Sequence, residues 1–244
     1  MNKRWFVLII IIIIYNQFSY SQEAASEVNQ QYRIDYNSKM ELSEKLNLIL
    51  PVGFRITSPK KWSTFYAEPQ IKYDWPRLIL KKMKFKEQLV GGLGIYHTNN
   101  LNIDNRLEIR PFQGYSIIAP NRKLFELNHY LKLEERFEFN TSNWSNTFGL
   151  RLVYNPTATI KFKGKFWKQG KGFYIPISCE IFWNLIETKQ FNNKFHFDFG
   201  FGKSLNKKWK IAFIMGYNLS RQFEYERYNT NEIIYRLRIY NLLI

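Results

Sequence analysis

The feature that most constrains this chain is the alternation of apolar and polar residues along most of its length. From about residue 30 to the end, runs of nine or more residues place apolar side chains at every second position. In one run the apolar positions are all phenylalanine: Phe195, Phe197, Phe199 and Phe201. Because successive side chains of a β-strand point to opposite faces, this period of two predicts strand after strand. Aromatic residues, at 18% of the chain, also favour strands.

The length of these strands and the charges on their polar face indicate a membrane barrel. Strands of soluble proteins average about five or six residues, whereas membrane-spanning strands need about nine to eleven. The polar face carries whole charges, which are costly to bury in the core of a soluble sandwich. A closed barrel in lipid, apolar outside and polar inside, accommodates both features. The alternative is an exported soluble β-protein with the reverse polarity.

We predict an all-β fold, an antiparallel transmembrane β-barrel of about 12 strands. Ten strands with an ordered N-terminal arm are the alternative. The predicted strands run near 29–37, 44–57, 62–73, 77–86, 88–98, 105–118, 123–139, 146–162, 172–186, 194–204, 208–220 and 231–242. Short links at 58–61, 86–87, 119–122 and 205–208 alternate with longer ones, as periplasmic turns alternate with external loops.

The first 21 residues have the pattern of a secretory signal peptide. Two basic residues precede an apolar run from Phe6 to Tyr15, and Ser19 and Ser21 supply small residues before a cleavage site. An uncleaved anchor helix is the alternative, but the apolar run is short for a membrane span. We therefore expect 1–21 to be a signal peptide and 22–244 to be one barrel domain in the outer membrane.

Composition and charge exclude other classes of protein. A single cysteine, Cys179, excludes an intramolecular disulfide and any multi-cysteine metal motif. The formal net charge of +16 would suit a nucleic-acid partner, but export and the scatter of lysine over predicted loops argue against one. We expect contacts with membrane lipids, with anionic lipopolysaccharide and with the outer-membrane assembly machinery. No cofactor is predicted.

Four phrases follow one another along the chain. They are Lys61-Trp62 followed by Glu68-x-Gln70-x-Lys72, then Glu108–Gln113, His129–Phe137 and Glu180–Leu185. In this order they resemble a family of Gram-negative outer-membrane barrels known as domain-of-unknown-function family 2490. The resemblance covers roughly residues 60–244. It implies fold and location, and it implies no substrate.

The phase of the alternation assigns a set of polar side chains to the barrel interior. We expect the following residues to form a charged ladder that lines the lumen: Glu68, Gln70, Lys72, Glu108, Arg110, Glu134, Arg136, Arg151, Glu180, Asn184, Asp198, Arg236 and Arg238. The four glutamates are expected to pair with the arginines across neighbouring strands. Such a ladder either fills a narrow barrel or selects a solute, and surplus arginine would favour anions.

Two expectations concern the barrel wall. Pro111 cannot donate to a ladder, which predicts a bulge after which Gln113 and Tyr115 also point inward. Tryptophans and tyrosines near strand ends are expected to form girdles at the membrane interfaces. The residues are Trp62, Trp144, Trp167, Trp183, Trp209, Tyr73, Tyr96, Tyr154 and Tyr217.

The favoured function is a non-enzymatic barrel, either a narrow channel or a structural component. The alternative is a lipid-modifying enzyme, an acyl hydrolase or transferase, with His129 facing lipid as the base and Ser116 among the candidate nucleophiles. No spacing selects such a pair, so no catalytic residue is predicted. His196 and Asp198, beside Glu180, could bind a metal, but such sets arise readily by chance in a charged lumen.

Overall fold

The described residues form a single β-sheet with thirteen strands. The computed structural model describes residues 28–59, 62–75, 78–79, 85–101, 103–119, 124–162, 167–168, 171–186, 193–221 and 230–243. The strands are β1 (Asn29–Glu41), β2 (Leu46–Ser58), β3 (Trp62–Ala67), β4 (Gln70–Asp74), β5 (Lys86–Asn100), β6 (Arg106–Ile118), β7 (Phe125–Asn140), β8 (Asn146–Lys161), β9 (Trp167–Lys168), β10 (Lys171–Asn184), β11 (Asn193–Ser204), β12 (Trp209–Arg221) and β13 (Thr230–Leu243). The predicted signal peptide lies outside the described residues. Among the residues that are described, no helix is long and apolar enough to cross a membrane.

The sheet closes on itself as a barrel, which confirms the predicted fold class. β3 and β4 both pair with β2 and β5, so they are two pieces of one barrel strand, separated at Glu68 and Pro69. β9 pairs with β10 and lies outside the ring. The closed ring therefore has eleven barrel strands, a number between the ten and the twelve considered from the sequence.

The odd number of strands makes the closing pair parallel. β1 and β13 run in the same direction, from Asn29 opposite Glu232 to Met40 opposite Leu243, whereas the other pairs are antiparallel. The even count fails at the strand predicted near 77–86. Part of that segment lies outside the described residues, and Lys86 and Glu87 begin β5 instead of forming a turn.

We call the end at which β1 begins the mouth end; the links β5–β6 and β7–β8 lie there. The opposite end, with the links β1–β2 and β11–β12, is the far end. The link at 58–61 follows the mouth-end terminus of β2, so it lies at the same end as the longer links and the predicted alternation of short and long links is wrong at this point.

Apolar side chains cover the outside of the barrel and charged ones occupy its inside. On the outer face Phe199 is 50% exposed and Phe213 is 52% exposed. On the inner face Glu134 is 1% exposed and Asp198 is 5% exposed. This arrangement is the reverse of a soluble protein and matches the band of apolar residues on a membrane barrel.

The bulge predicted at Pro111 is absent. Pro111 keeps its place opposite Leu93 of β5, and the β6–β7 pairing resumes at Phe112 in the register it has at Ile109. The proline therefore removes ladder bonds on the β7 side without inserting a residue. As a consequence Phe112 is buried. Gln113 is exposed and lies on the same face of the sheet as Pro111. Tyr115 lies on that face too, so the prediction that Gln113 and Tyr115 point inward is wrong.

Of the aromatic residues predicted to form girdles, some are exposed and others lie inside the barrel. Trp144, Trp183, Trp209, Tyr73 and Tyr217 are exposed large side chains. Trp62 and Tyr96 instead line an interior cavity. Tyr154 stacks on His129, and nothing is described of the side chain of Trp167.

Candidate functional site

A cavity of about 460 Å³ occupies the mouth half of the barrel lumen. Its lining reaches the mouth at Trp62, Asn100 and Ile103 and extends inward to Glu68 and Arg238. Ten arginine and lysine side chains line it against six glutamates. Nine residues of the predicted ladder are in this lining: Glu68, Glu108, Arg110, Glu134, Arg136, Arg151, Glu180, Arg236 and Arg238.

Glu108 lies between two arginines on one side of the cavity. Arg136 Nε donates to Glu108 Oε1 at 2.5 Å, and Arg110 Nη2 donates to Oε2 at 2.6 Å. The Arg110 guanidinium also lies 3.7 Å from the ring centroid of Tyr96, a cation–π contact. Both oxygens of the buried carboxylate are thus satisfied, as burial of a charge requires.

Glu134 has the most buried carboxylate of the ladder, at 1% exposure. Arg151 donates to its Oε2 through Nε at 2.7 Å and also through Nη2. Lys132 Nζ lies 2.6 Å from its other oxygen. Arg151 comes from β8, which places Arg151 opposite Glu134 of β7 in register.

A second charged group crosses the parallel seam between β1 and β13. Arg238 donates to Asp35 Oδ2 through Nε at 3.1 Å and through Nη2 at 3.0 Å. Tyr66 donates to the other oxygen of Asp35. Arg236 Nη1 donates to Asp198 Oδ2 at 2.9 Å, and His196 Nε2 lies 2.7 Å from Asp198 Oδ1. These contacts link β1, β3, β11 and β13.

The remaining predicted residues have neutral partners or lie outside the cavity lining. Glu68 accepts a hydrogen bond from Tyr96, and Glu180 accepts one from Asn155 Nδ2 at 2.5 Å, so neither forms the expected arginine pair. Lys72 Nζ lies 5.8 Å from the ring centroid of Tyr130. Gln70 is half-buried opposite Gly92, and Asn184 is half-buried opposite Arg151.

A small group of buried side chains packs inside the far half of the lumen. Tyr174 packs with Ala212 and Ile214, and Tyr240 packs against this group. Glycines on neighbouring strands make room for the rings: a Cβ at Gly114 would lie 2.6 Å from Tyr130 Cε2. Barrels with about eight strands have interiors filled by side chains, whereas 16-stranded porins keep an aqueous channel. The ring of eleven strands is nearer in size to the first of these classes.

The residues considered for catalysis do not come together. His129 Nδ1 lies 2.7 Å from the Tyr154 hydroxyl on the outer face. Ser116 is buried and donates to Asn128 Oδ1 at 2.6 Å. Ser116 and His129 therefore lie on opposite faces of the sheet. In the described part of the chain, no three histidine, cysteine or acidic residues are grouped as for a metal ion.

Two loops at the mouth end are joined through Asp104. Asn140 Nδ2 donates to Asp104 Oδ2 at 2.6 Å, and Ser142 Oγ donates to Oδ1 at 2.8 Å. Thr141 N donates to the Asn105 carbonyl at 2.9 Å. The hydrogen bonds from Asn140 and Ser142 lower the pKa of the Asp104 carboxyl from its ordinary value.

Several charged residues of the site were missed in the sequence. The lining also includes Arg33, Arg55, Lys132, Lys194 and Glu232. The signal was present at the start of β1, where Gln31, Arg33 and Asp35 alternate with Tyr32 and Ile34. The predicted ladder did not include the polar face of this strand.

Comparison with known proteins gives a family and no function. Searches of the curated proteins and of the solved structures give no match to this chain. The model of one protein family, described as protein of unknown function (DUF2490), matches residues 30–229. These residues include β1 except for Asn29, β2 to β12, and all four phrases that carry the resemblance. The chain therefore belongs to the DUF2490 family.

Proposed function

We propose that this protein crosses the Gram-negative outer membrane as a non-enzymatic β-barrel. The observation that carries the proposal is the reversed polarity of the wall. Large apolar side chains such as Phe65, Phe199 and Phe213 are half exposed outside, while Glu134 and Asp198 are buried inside. In water these exposed apolar side chains would promote aggregation, whereas in a bilayer they contact the acyl chains of the lipids. Its proposed partners are membrane lipids, lipopolysaccharide and the machinery that assembles outer-membrane barrels.

Within that role, we propose that the lumen is a solute vestibule that opens at the mouth end. The mouth half holds the charged cavity, and the far half contains the packed group of Tyr174, Ala212, Ile214 and Tyr240. Of the two roles considered, narrow channel and structural component, this packing favours a closed wall over a permanently open pore. The surplus of basic over acidic residues in the lining favours anions as the solute.

Membrane fractionation tests the location. The mature chain should be recovered from outer membranes only with detergent, give a β-rich circular dichroism spectrum, and migrate faster on a gel unheated than boiled. Recovery in the soluble fraction without detergent would contradict the proposal.

Conductance across planar bilayers tests the state of the lumen. The purified barrel should give no steady, porin-like increments of conductance. In a salt gradient, any transient openings should have reversal potentials of the sign expected for anion selectivity. A large steady conductance, or selectivity for cations, would contradict the closed, basic vestibule.

A further inference from the structure

Four arginines and two threonines occupy one row across six neighbouring strands. Arg33 of β1 lies opposite Arg236 of β13 on one side and opposite Arg55 of β2 on the other. The row continues through Thr64 and Thr98 to Arg106. All six side chains line the mouth-half cavity, and none of the six positions is acidic. We call this set the arginine row.

The two ends of the arginine row form ion pairs with acids, whereas its two central arginines do not in the part of the chain that the structure describes. Arg236 bonds Asp198 at 2.9 Å, and Arg106 bonds Glu138 at 3.1 Å. Arg33 donates through Nε to a neutral acceptor, the Gln31 side-chain oxygen. In the residues that are described, neither Arg33 nor Arg55 forms an ion pair with an acid.

Arg55 carries a second sign of an incomplete site. Its guanidinium lies 5.1 Å from the Trp62 ring centroid, and its Nε is buried with no hydrogen-bond partner among the described residues. A buried donor without an acceptor is costly, and like charges directly opposite each other destabilise a sheet. Asp35 attracts Arg33 and Glu232 attracts Arg55 electrostatically, but within the described residues no carboxylate forms an ion pair with either arginine at the centre of the row.

We infer that Arg33 and Arg55 bind a phosphate- or sulphate-type oxyanion carried by a water-soluble solute. The inference rests on the proposed function, because it assigns a ligand class to the vestibule. The guanidinium fork matches tetrahedral oxyanions through paired N–H donors. The cavity, at about 460 Å³, lies in the range of small-molecule sites. Its lining reaches the mouth, so the solute enters from water.

Calorimetric titration with inorganic phosphate tests the site on the whole barrel in zwitterionic detergent. The unaltered protein should bind phosphate saturably, and Arg33→Gln with Arg55→Gln should weaken binding at least about tenfold. The matched control is Lys207→Gln with Lys208→Gln, which removes the same charge from the far-end β11–β12 turn. This control should change the affinity less than about twofold, since general electrostatics are screened over such distances. Equal losses in both double variants, or no saturable binding by the unaltered protein, would overturn the inference.

Urea unfolding separates an anion site from a structural role. Without phosphate, the Arg33→Gln and Arg55→Gln double variant should be at least as stable as the unaltered barrel, because it relieves repulsion. Phosphate should raise the unfolding midpoint of the unaltered protein and not that of the double variant. A variant that is folded by circular dichroism but less stable with and without phosphate would overturn the inference.

Lipid composition distinguishes a soluble solute from a lipid headgroup. Phosphate affinity should be the same in nanodiscs of phosphatidylcholine and in nanodiscs that contain phosphatidylglycerol. A loss of binding in phosphatidylglycerol would overturn the assignment to a soluble solute. Because the titration is done in detergent, its result does not depend on the fractionation or conductance tests of the proposed function.

Discussion

At the scale of single residues, neighbours on one strand meet opposite surroundings. In β12, Phe213 is 52% exposed on the outer face, and Ile214 is 2% exposed in the lumen beside Tyr174 and Ala212. A residue's place in the alternation therefore decides whether a charge at that position is tolerated. Two predictions follow from the two faces.

Placing a charge on the outer face should destabilise the barrel in lipid. Phe213 lies near the middle of β12, so Phe213→Arg should lower the free energy of unfolding by about 2–4 kcal/mol, as for arginine at the bilayer midplane. The control Phe213→Leu keeps the surface apolar and should cost less than about 1 kcal/mol. Urea titration in liposomes measures both variants. If the arginine variant were as stable as the leucine variant, the outer face would not contact lipid.

Two glutamates of β7 should differ sharply when they are neutralised. Glu134→Gln leaves the buried Arg151 and Lys132 without their carboxylate and should cost about 3–5 kcal/mol. Glu138→Gln is the matched control, since its partner Arg106 is 39% exposed, and it should cost below about 1 kcal/mol. Unfolding midpoints of the two variants provide the comparison. Similar values would mean that the Glu134 group is open to solvent.

At the scale of strands and links, glycines determine how closely the inner rings pack. At Gly114 an added Cβ would lie 2.6 Å from the Tyr130 ring and 2.7 Å from the Leu131 carbonyl oxygen, whereas at Gly91 it would meet nothing within 4 Å. Gly114→Ala should therefore destabilise the barrel by about 1–3 kcal/mol. Gly91→Ala should be neutral or slightly stabilising. Thermal unfolding in detergent measures the stability of both variants. If Gly91→Ala were the more destabilising of the two, Gly114 would not face the packed rings.

The joined mouth loops should loosen in acid. Since the pKa of Asp104 is lowered in the folded protein, its contribution to loop stability is present above the unfolded pKa, about 3.9, and is lost as the pH falls through the folded pKa. The protection factor of the Thr141 amide against hydrogen exchange should fall below about pH 4. Asp104→Asn should show lower protection at neutral pH and no such step. An unchanged step in that variant would assign it to another group.

The strands could be predicted from the sequence because their period of two is local. β11 and β12 each appear close to their predicted bounds. Pro111 shows the limit of such patterns. An alternating pattern does not show toward which neighbouring strand a backbone N–H points. Here the proline removes hydrogen bonds to β7, while its pairing with β5 persists.

At the scale of the whole molecule, the pairing of β1 with β13 determines the shape. Ile34 and Leu237 lie opposite each other across this seam, and both are exposed on the outer face. In a chain with Cys179→Ser, Ile34→Cys and Leu237→Cys should cross-link under mild oxidation and resist heat-induced opening on a gel. The offset pair Ile34→Cys and Tyr235→Cys should link less. Equal linking by both pairs, or none, would contradict the parallel register.

The partners within the site could not be predicted from the sequence alone. Alternation gives the face of each residue, but the neighbour across the sheet depends on register and closure. Asp35 and Arg238 are separated by 203 residues, and only the closed ring brings them together. With an even number of strands β1 and β13 would be antiparallel, and Asp35 would face a different residue.

The parallel seam also has a consequence for the order in which the barrel forms. Every other neighbouring pair of barrel strands is joined by a link of modest length, whereas the seam joins residues that are about 200 positions apart. By the logarithmic law for closing flexible loops, this contact costs about 3–4 kcal/mol more chain entropy than the four-residue turn between β1 and β2. An open, curved sheet should therefore precede the closed ring during folding. Its rate-limiting step should be the meeting of the first and last strands, where the contact order is highest.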